Sequence, residues 1–377
     1  MKTQNKQILF FFSFYFFFFF QSCVKRVAHD YALEDAAIVI DINLVKIEPL
    51  TIKHIQYIPL ETSQGCLIGY VDKVLFRDQR IYVADFHQTM ALFVFDMNGK
   101  FLFKIAMRGN GPEEYISFKD FDIQSNGEIY IFDQFGRKFL IYNNEGKFMS
   151  DVKINYYIAN FCLIDDKMFW SMIWEKGEMF ASLAEFDIEK KSVEFLFTED
   201  KYLHSLSLYR FSPYAFYYSP NNIYYSPKFS EIIYSINNDS VSPVIGIKNL
   251  IPPPDNVIEK WIENPNEQGR LIREDTYFIE NVYIYETEDY IFIRCMKGAG
   301  NILLYNKHLQ SVCTVMDLYS TIGSEKIMGS TGKEFFSVIY FRPDINKSHK
   351  QILQSHQELE SWKEDDNPVI AIFDLDM

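Results

Sequence analysis

The sequence contains none of the short motifs that mark the common catalytic and metal centres. Its seven histidines include no HExxH pair, and the chain has neither a GxSxG nucleophile elbow nor a glycine-rich phosphate loop. The five cysteines show no CxxC pair or other metal-ligand spacing. No catalytic residue and no metal ligand is therefore predicted from motifs.

The four cysteines beyond the N-terminal segment are scattered along the chain. A disulfide between Cys295 and Cys313 remains an alternative, provided that their strands are neighbours. The favoured prediction is that all four are buried free thiols, which behave as small apolar residues. They are Cys66, Cys162, Cys295 and Cys313.

Positive charge is scarce. The chain has 37 Lys and Arg residues against 51 Asp and Glu residues, a formal net charge of −14, and no basic stripe. This composition argues against a nucleic-acid partner, because nothing would neutralise the phosphates. The acidic balance instead favours a soluble domain that is kept dispersed by like charge.

The N-terminal apolar run is too short to span a membrane. Ile8–Phe20 has 13 residues, whereas a spanning helix needs about 20. Two lysines precede the run, as in a secretory signal, and Cys23 follows it. The segment resembles the lipobox of bacterial lipoproteins, although Phe20 stands where Leu is usual. The resemblance implies that residues 1–22 are removed and that Cys23 carries a lipid anchor; an ordinary signal peptide is the alternative.

Strand patterns rich in aromatic residues are abundant, and they repeat. Ile81–Asp85 recurs 48 positions later as Ile129–Asp133. Phe95–Phe101 recurs 47 positions later as Tyr142–Phe148, with a glycine hairpin turn in both copies. A repeat of this length that consists of strands and turns is typical of a propeller blade.

Six such units can be followed along the chain, and two helical insertions at 252–273 and 348–363 interrupt them. An N-terminal strand is expected to pair with the last unit, because ring closure removes an exposed sheet edge. The sequence therefore predicts an all-β, six-bladed β-propeller with four-stranded antiparallel blades over residues 37–377, preceded by a tether at 23–36. The units cover about residues 72–106, 118–154, 159–197, 214–247, 280–315 and 326–377.

Several motifs together resemble one known family. They are Ile58-Pro59-Leu60-Glu61-Thr62, Leu67-Ile68-Gly69, Phe95-Asp96-x-x-Gly99-Lys100-Phe101, Arg108-Gly109-x-Gly111-Pro112-x-Glu114-Tyr115 and Asp366-Asn367-Pro368-Val369. With these motifs the chain is similar to the six-bladed β-propeller lipoproteins of Bacteroidota, whose repeats are related to NHL repeats. The resemblance implies the fold and a cell-envelope location. It implies no biochemical activity, so no catalytic residue is transferred from it.

The linker around Arg108 is the first candidate binding surface. Linkers from an outer strand to the next inner strand share a face of a propeller with the loops between second and third strands. Arg108 and Glu114 would therefore lie on the same face as His87 and Arg137 and could line the mouth of the central funnel. The structural alternative is that Arg108 and Glu114 pair with each other or with the backbone, and Gly111-Pro112 favours it.

Recurring acidic residues are candidates for turns or for the axis of the ring. Asp85 and Asp133 end equivalent strands, where Asp side chains usually accept hydrogen bonds from nearby amides, so a turn role is favoured. Asp72, Asp120 and Glu280 stand near the starts of inner strands and are better placed to point into the axial funnel. Calcium needs about 6–8 oxygen ligands, so the favoured prediction is no cofactor, with calcium at these three residues as the alternative.

These features favour a binding or scaffold protein over an enzyme. We expect a lipid-anchored module of the cell envelope that binds a glycan, a peptide or another envelope protein. The alternative is a calcium-dependent lactonase, lyase or hydrolase of the propeller type, and a purely structural envelope component is a third option. The segment Val24-Lys25-Arg26 lacks the acidic cluster that resembles a surface-export signal in these bacteria. We therefore expect an anchor on the periplasmic face of the outer membrane.

Overall fold

Six β-sheets form a six-bladed propeller in the computed structural model of the chain. We number the blades 1 to 6 in the chain order of their inner strands. The predicted fold class, with four antiparallel strands in each blade, is confirmed. The structure describes residues 31–49, 51–175, 178–198, 215–219, 222–237, 240–297, 301–316, 322, 324, 326–341 and 356–376.

The N-terminal segment wraps around the outside of three blades. It contains β1 (Ile38–Asp41), β2 (Lys46–Pro49) and β3 (Thr51–Pro59), and we call residues 38–59 the belt. β1 and β2 pair in parallel with the outer strands of blades 4 and 5, and β3 is the outermost strand of blade 6. β3 pairs antiparallel with the last strand of the chain, so the predicted closure of the ring is confirmed.

Blades 1 to 3 are consecutive meanders that run from the axis outwards. Blade 1 contains β4 (Lys73–Arg77), β5 (Arg80–Asp85), β6 (Ala91–Asp96) and β7 (Phe101–Ile105). Blade 2 contains β8 (Asp120–Ile123), β9 (Ile129–Asp133), β10 (Lys138–Tyr142) and β11 (Phe148–Lys153). Blade 3 contains β12 (Asn160–Ile164), β13 (Lys167–Glu175), β14 (Glu178–Asp187) and β15 (Ser192–Phe197).

Blades 4 to 6 carry the belt on their outer edges. Blade 4 contains β16 (Phe216–Tyr218), β17 (Ile223–Tyr225), β18 (Ile232–Ile236) and β19 (Val241–Lys248). Blade 5 contains β20 (Phe278–Glu286), β21 (Tyr290–Lys297), β22 (Asn301–Asn306) and β23 (Ser311–Met316). Blade 6 contains β24 (Gly329–Ser330), β25 (Phe335–Ile339), β26 (Val369–Asp376) and β3.

The core lies between neighbouring blades rather than within one sandwich. The middle strands β5 and β6 of blade 1 are buried along almost their whole length, because each blade packs against two neighbours. The outer strand β7 alternates between half-buried and exposed positions before it ends at the buried Ile105, with Leu102 43% exposed. Aromatic rings connect the blades: Phe139 of blade 2 packs 4.9 Å from Phe161 of blade 3, measured between ring centroids.

The glycine of the repeated hairpin has a packing role besides its turn role. Gly99 has φ +79°, a conformation that glycine adopts without a steric penalty. A Cβ atom at this position would also collide with the carbonyl oxygen of Pro59 at the end of β3. The carbonyl of Gly99 accepts a hydrogen bond of 2.8 Å from the amide of Glu61. The hairpin of blade 1 therefore packs directly on the closing strand.

Three of the family-like motifs meet at this closure. The side-chain amide of Asn367 donates to the carbonyls of Glu61 and Cys66, at 2.7 Å each, and its oxygen accepts from the amide of Ile68 at 2.9 Å. The backbone amide of Asn367 donates to the hydroxyl of Thr62 at 2.8 Å. Asn367 is buried. These motifs therefore have a structural role, because they tie the C-terminal strand to the segment that follows β3.

The two α-helices of the described residues both lie in the first predicted insertion. α1 (Asp255–Glu263) and α2 (Gln268–Glu274) connect blades 4 and 5. Trp261 of α1 is fully buried, and its indole N–H donates to Asp275 at 3.0 Å. Residues 348–355 of the second predicted insertion lie outside the described residues, and the described part, 356–363, contains the short 3-10 helix Gln357–Leu359.

The cysteine prediction is confirmed, because the four described cysteines are buried and free. The predicted signal peptide and Cys23 lie outside the described residues. Of the predicted tether, residues 31–36 are described, and they include a 3-10 helix at Leu33–Asp35. In the part of the chain that the structure describes, no helix is long and apolar enough to cross a membrane.

Candidate functional site

The loops between second and third strands lie on the same face of the ring as the linkers between blades, as predicted. Asp85 begins such a loop in blade 1 and accepts hydrogen bonds from the amides of Gly69 and Tyr70 in the preceding linker, at 3.0 Å each. Asp133 of blade 2 accepts from the amide of Ile116 in the same way, at 2.9 Å. We call this face, on which each inner strand begins, the upper face.

Asp85 is a structural carboxylate. It is fully buried and also accepts hydrogen bonds from the amides of Gln88 at 2.8 Å and Thr89 at 3.1 Å, and from the Thr89 hydroxyl at 3.0 Å. Burial alone would raise the pKa of Asp85, but these hydrogen bonds and that of Tyr70 hold the pKa below its ordinary value. The contacts support the predicted turn role. Asp133 is buried as deeply and binds Ser117 and Gly136.

The linker around Arg108 is held by its own backbone and carboxylate. Glu114 accepts a hydrogen bond of 2.8 Å from the amide of Gly111. Tyr115 is fully buried and donates its hydroxyl to the carbonyl of Met90 at 2.5 Å. Arg108 is exposed, and among the described residues no ion pair joins Arg108 to Glu114. The geometry therefore supports the structural alternative for Glu114 and leaves Arg108 as an exposed side chain of the upper face.

The structure brings two of the candidate residues together. Nδ1 of the exposed His87 lies 3.0 Å from a carboxylate oxygen of Asp72, and the other oxygen accepts from the amide of Phe86 at 2.6 Å. A histidine paired with a carboxylate can hold or move a proton. Arg137 pairs with a different residue: its guanidinium lies 4.3 Å from the ring centroid of Tyr157 and donates to the Tyr157 hydroxyl at 2.6 Å.

Asp120 belongs to a buried ion pair. Nζ of Lys73 lies 2.8 Å from its carboxylate, and the two side chains are 8% and 1% exposed. The ammonium group also donates to the carbonyl of Phe121 at 2.7 Å and lies 5.1 Å from the ring centroids of Phe121 and Tyr218. Asp120 therefore joins the inner strands of blades 1 and 2, and Lys73, which sequence reasoning did not select, is its partner.

Two carboxylates of blade 2 accept hydrogen bonds from backbone amides on the inner edge strand of blade 3. Asp120 and Asp122 accept hydrogen bonds from the amides of Phe161 and Leu163 on β12, at 3.2 and 2.6 Å. These amides lie on a sheet edge, which has no further strand to pair with. Burial raises the pKa of Asp122, against the opposing effect of the Lys73 charge. The sequence signal for this role was the spacing of two, which puts both carboxylates on one side of β8.

Glu280 lies apart from the other acidic candidates. It is buried in a small crevice of about 20 Å³ together with Asn281, Ser226 and Tyr217. The structure does not bring Glu280 to Asp72 or Asp120. Among the described residues, no group of three His, Cys, Asp or Glu side chains could hold a metal ion.

A cavity of about 140 Å³ lies at the centre of the ring. The inner strands β4, β16 and β24 line it, together with Tyr285 of β20 and Phe336. The hydroxyl of Tyr218, on its wall, is buried and faces Asp122 but makes no hydrogen bond of ordinary geometry within the described residues. Other polar lining residues are Asp72, Arg77, Tyr217, Ser219, Ser330 and Thr331. We call this space the axial cavity.

Aromatic rings and cations cluster on the upper face, around the starts of the inner strands β4 and β24. Tyr70 is 41% exposed and stacks on Tyr340, with ring centroids 6.0 Å apart and planes 13° apart. The ring centroid of Tyr283 lies 5.9 Å from both the Arg294 guanidinium and the Lys326 ammonium. Burial raises the pKa of Tyr283, Arg294 opposes this shift, and the nearby Tyr70 adds to it. We call these five residues the axial mouth.

Sequence reasoning did not select the axial mouth. Tyr283, Arg294, Lys326 and Tyr340 come from or adjoin blades 5 and 6, whose repeats are too irregular to align with those of blade 1. Tyr283 has φ +56° and lies where the pairing of β20 with β21 shifts register. The available signal was Tyr70, which stands two residues before the predicted axial residue Asp72.

Comparison with known proteins supports this architecture. A family model described as "Domain of unknown function (DUF4934)" matches residues 38–374. The chain is similar to a solved structure of a Bacteroides fragilis NCTC 9343 protein that is inferred to be exported, with 17% identity, a TM-score of 0.71, and coverage of 90% of this chain and 100% of that chain. It is also similar to a DUF4221 family member of Bacteroides vulgatus ATCC 8482, with 10% identity, a TM-score of 0.56, and coverage of 87% and 98%. No curated protein matches the chain.

Proposed function

We propose that this chain, which belongs to the family described as Domain of unknown function (DUF4934), is an exported, lipid-anchored module of the cell envelope that binds a glycan at the axial mouth. Two observations support export and anchoring: the similar Bacteroides fragilis protein is inferred to be exported, and Cys23 follows a signal-like run. The membrane side that we propose is the periplasmic face of the outer membrane.

The observation that carries the binding proposal is the composition of the axial mouth. Tyr70 presents a flat, exposed ring that Tyr340 supports from behind. The face of such a ring carries partial negative charge and packs well on the C–H face of a sugar. Arg294 and Lys326 lie beside Tyr283 and can donate hydrogen bonds to sugar hydroxyls.

The rest of the ring is suited to hold this mouth rigidly. Asp120 and Asp122, on the inner strand of blade 2, pair with Lys73 or with backbone amides, so they fix blades 1, 2 and 3 relative to one another. A preformed cavity in which polar groups converge beside aromatic rings is typical of a ligand site. The tyrosines therefore meet a ligand without a cost for ordering loops, which favours binding.

A direct test is to measure binding of the mature chain to an array of bacterial and host polysaccharide fragments, with Tyr70→Ala as the variant. We expect at least one glycan to bind, and Tyr70→Ala to weaken it by roughly 10- to 30-fold, since a buried aromatic contact of this kind contributes about 2 kcal/mol. Phe135→Ala is the matched control, because Phe135 is 70% exposed in an upper-face loop of blade 2. Unchanged binding in Tyr70→Ala would reject the axial mouth.

Binding assays on the same protein also test the other two ligand classes, peptides and envelope proteins. A peptide library and detergent-solubilised envelope proteins are assayed beside the glycans, with the same two variants. Binding of a peptide or protein that depends on Tyr70 would keep the site and replace the ligand class. Mass spectrometry of the N-terminal fragment tests the anchor separately: we expect a diacylated Cys23, and an unmodified cysteine would reject it.

A further inference from the structure

Exposed apolar side chains cluster on the belt and on an adjoining hairpin of blade 5. Leu44 is 75% exposed, Leu309 67% and Val39 41%, and all three line one groove of about 440 Å³ between the belt and blade 5. Ile47, on the adjoining strand β2, is 67% exposed. Apolar residues that are exposed singly are ordinary, but a contiguous apolar patch with a polar border indicates an interaction surface.

The turns that carry these residues hold them outwards. Leu44 ends the 3-10 helix Ile42–Leu44, which connects β1 to β2 and is capped by the Asp41 carboxylate at the amide of Asn43, 2.9 Å. Leu309 lies in a hairpin of blade 5 in which Asn306 accepts hydrogen bonds from the amides of His308 and Leu309, at 3.0 and 2.9 Å. The apolar side chains are therefore presented by hydrogen-bonded turns.

The groove lies beside the point where the chain leaves the described structure. The ring of Tyr31 lies 6.2 Å from that of Tyr234 in blade 4. Eight residue steps separate Tyr31 from Cys23, so an extended tether spans at most about 28 Å, whereas a compact chain of this size is roughly 50 Å across. An anchor at Cys23 therefore keeps blades 4 and 5 nearer to the bilayer than blade 2, which lies opposite blade 5 in the ring.

We propose that the groove bordered by Val39, Leu44 and Leu309 docks on the phospholipid surface of the anchoring membrane, an inference that rests on the proposed lipid anchor. The groove also contains Asp41, Lys46 and Glu48, and such a mixture of apolar and charged groups suits the headgroup region. Because the belt lies on the outer rim, docking there turns the axis of the ring towards the plane of the membrane. The axial mouth then opens sideways, along the membrane surface.

Fluorescence quenching on the full, lipidated chain tests this proposal. Leu44→Cys and Phe135→Cys are labelled with an environment-sensitive thiol dye, which the four described native cysteines escape because they are buried. The proteins are reconstituted into phosphatidylethanolamine–phosphatidylglycerol vesicles that contain brominated acyl chains. We expect quenching roughly two- to fivefold stronger at residue 44 than at residue 135, because docked side chains reach about 5–10 Å into the headgroup–acyl boundary.

The other outcomes of this experiment contradict docking. Equal quenching at both positions, in protein that floats with the vesicles, shows an anchored chain without this docking. Failure to float removes the anchor on which the docking depends. A dye response at residue 44 that depends on protein concentration and not on vesicles shows a second copy in the groove. As a further check, Val39→Asp/Leu309→Asp, introduced into both labelled variants, is expected to abolish the difference between the two labels, and a persistent difference contradicts the proposal.

Discussion

Blades 1 and 2 and blades 5 and 6 reach the same architecture by different means. In blades 1 and 2 a buried aspartate at the end of the second strand, Asp85 or Asp133, binds the amides of the preceding linker. The second strands of blades 5 and 6 end without such an aspartate. Blade 5 is instead joined to blade 4 by Glu286, which accepts from Ser219 at 2.5 Å and Tyr224 at 2.7 Å.

We call blades 1 and 2 the regular half, and blades 5 and 6, which carry the candidate binding surfaces, the irregular half. The regular blades are held by the contacts of Asp85 and Asp133, which each repeat supplies for itself, and by the buried pair of Lys73 and Asp120 between them. The irregular blades depend on contacts between distant parts of the chain: the belt on their outer edges and Asn367 at the closure. They also carry four of the five residues of the axial mouth and the groove at Leu44. Because contacts from distant parts of the chain stabilise these blades, the residues that face a ligand can vary without loss of the fold.

The largest loss of stability is expected when the closure of the ring, in the irregular half, is disrupted. Asn367→Ala would leave the carbonyls of Glu61 and Cys66 and the amide of Ile68 without their buried partner. We expect a loss of about 3–5 kcal/mol, since each unsatisfied buried group costs about 1–3 kcal/mol. For a chain of this size, that corresponds to a fall of roughly 4–7 °C in the thermal unfolding midpoint, measured by circular dichroism.

Asn126→Ala is the matched control for this experiment. Asn126 caps an exposed turn of blade 2 through the amide of Glu128, at 2.9 Å. Water can replace that bond, so we expect a loss of less than about 1 kcal/mol. Equal losses in the two variants would show that Asn367 does not close the ring.

The next effect concerns the regular half. Asp85→Asn keeps the shape of the side chain but turns amide hydrogens towards backbone amides, and we expect a loss of about 2–4 kcal/mol at neutral pH. The folded-state pKa of Asp85 is depressed, so its ionised form contributes stability above about pH 4, the unfolded value. That contribution is lost as the pH falls through the folded pKa. Urea unfolding should therefore show the difference between wild type and variant shrinking below pH 4.

A smaller loss of stability is expected at Asp96, because the equivalent position of blade 2 already carries an asparagine. Asp96 accepts from the amides of Asn98 and Lys100, at 2.8 and 2.9 Å. In blade 2 its equivalent is Asn143, which accepts from the amides of Glu145 and Lys147 at 3.0 and 2.9 Å. Asp96→Asn should therefore change the free energy of unfolding by less than about 0.5 kcal/mol. A loss as large as that of Asp85→Asn would contradict the distinction between buried and exposed turn carboxylates.

The fold could be predicted because a blade repeats a local pattern. Ile81–Asp85 and its copy at Ile129–Asp133 have the same strand and the same capping carboxylate, so one alignment fixes both. For the candidate site, the repeats gave only candidate residues: Asp72 and His87 lie 3.0 Å apart, a contact that the sequence did not predict. The pairing of Asp120 with Lys73 joins two blades, and no pattern within one repeat encodes it. Tyr283 lies at a register shift and Tyr70 in a linker, where periodicity carries no information.

The smallest effect on stability is expected from calcium, because its ligands would have to come from both halves. Asp72 and Asp120 belong to the regular blades and Glu280 to blade 5, and the first two already bind His87 and Lys73. We therefore expect 1 mM calcium or EDTA to move the unfolding midpoint by less than about 1 °C, with magnesium as the control. A site at 100 times its dissociation constant would add about 2.7 kcal/mol, or roughly 4 °C. A calcium-specific rise of that size, with about one calcium per chain by elemental analysis, would restore the calcium-dependent enzyme as the better hypothesis.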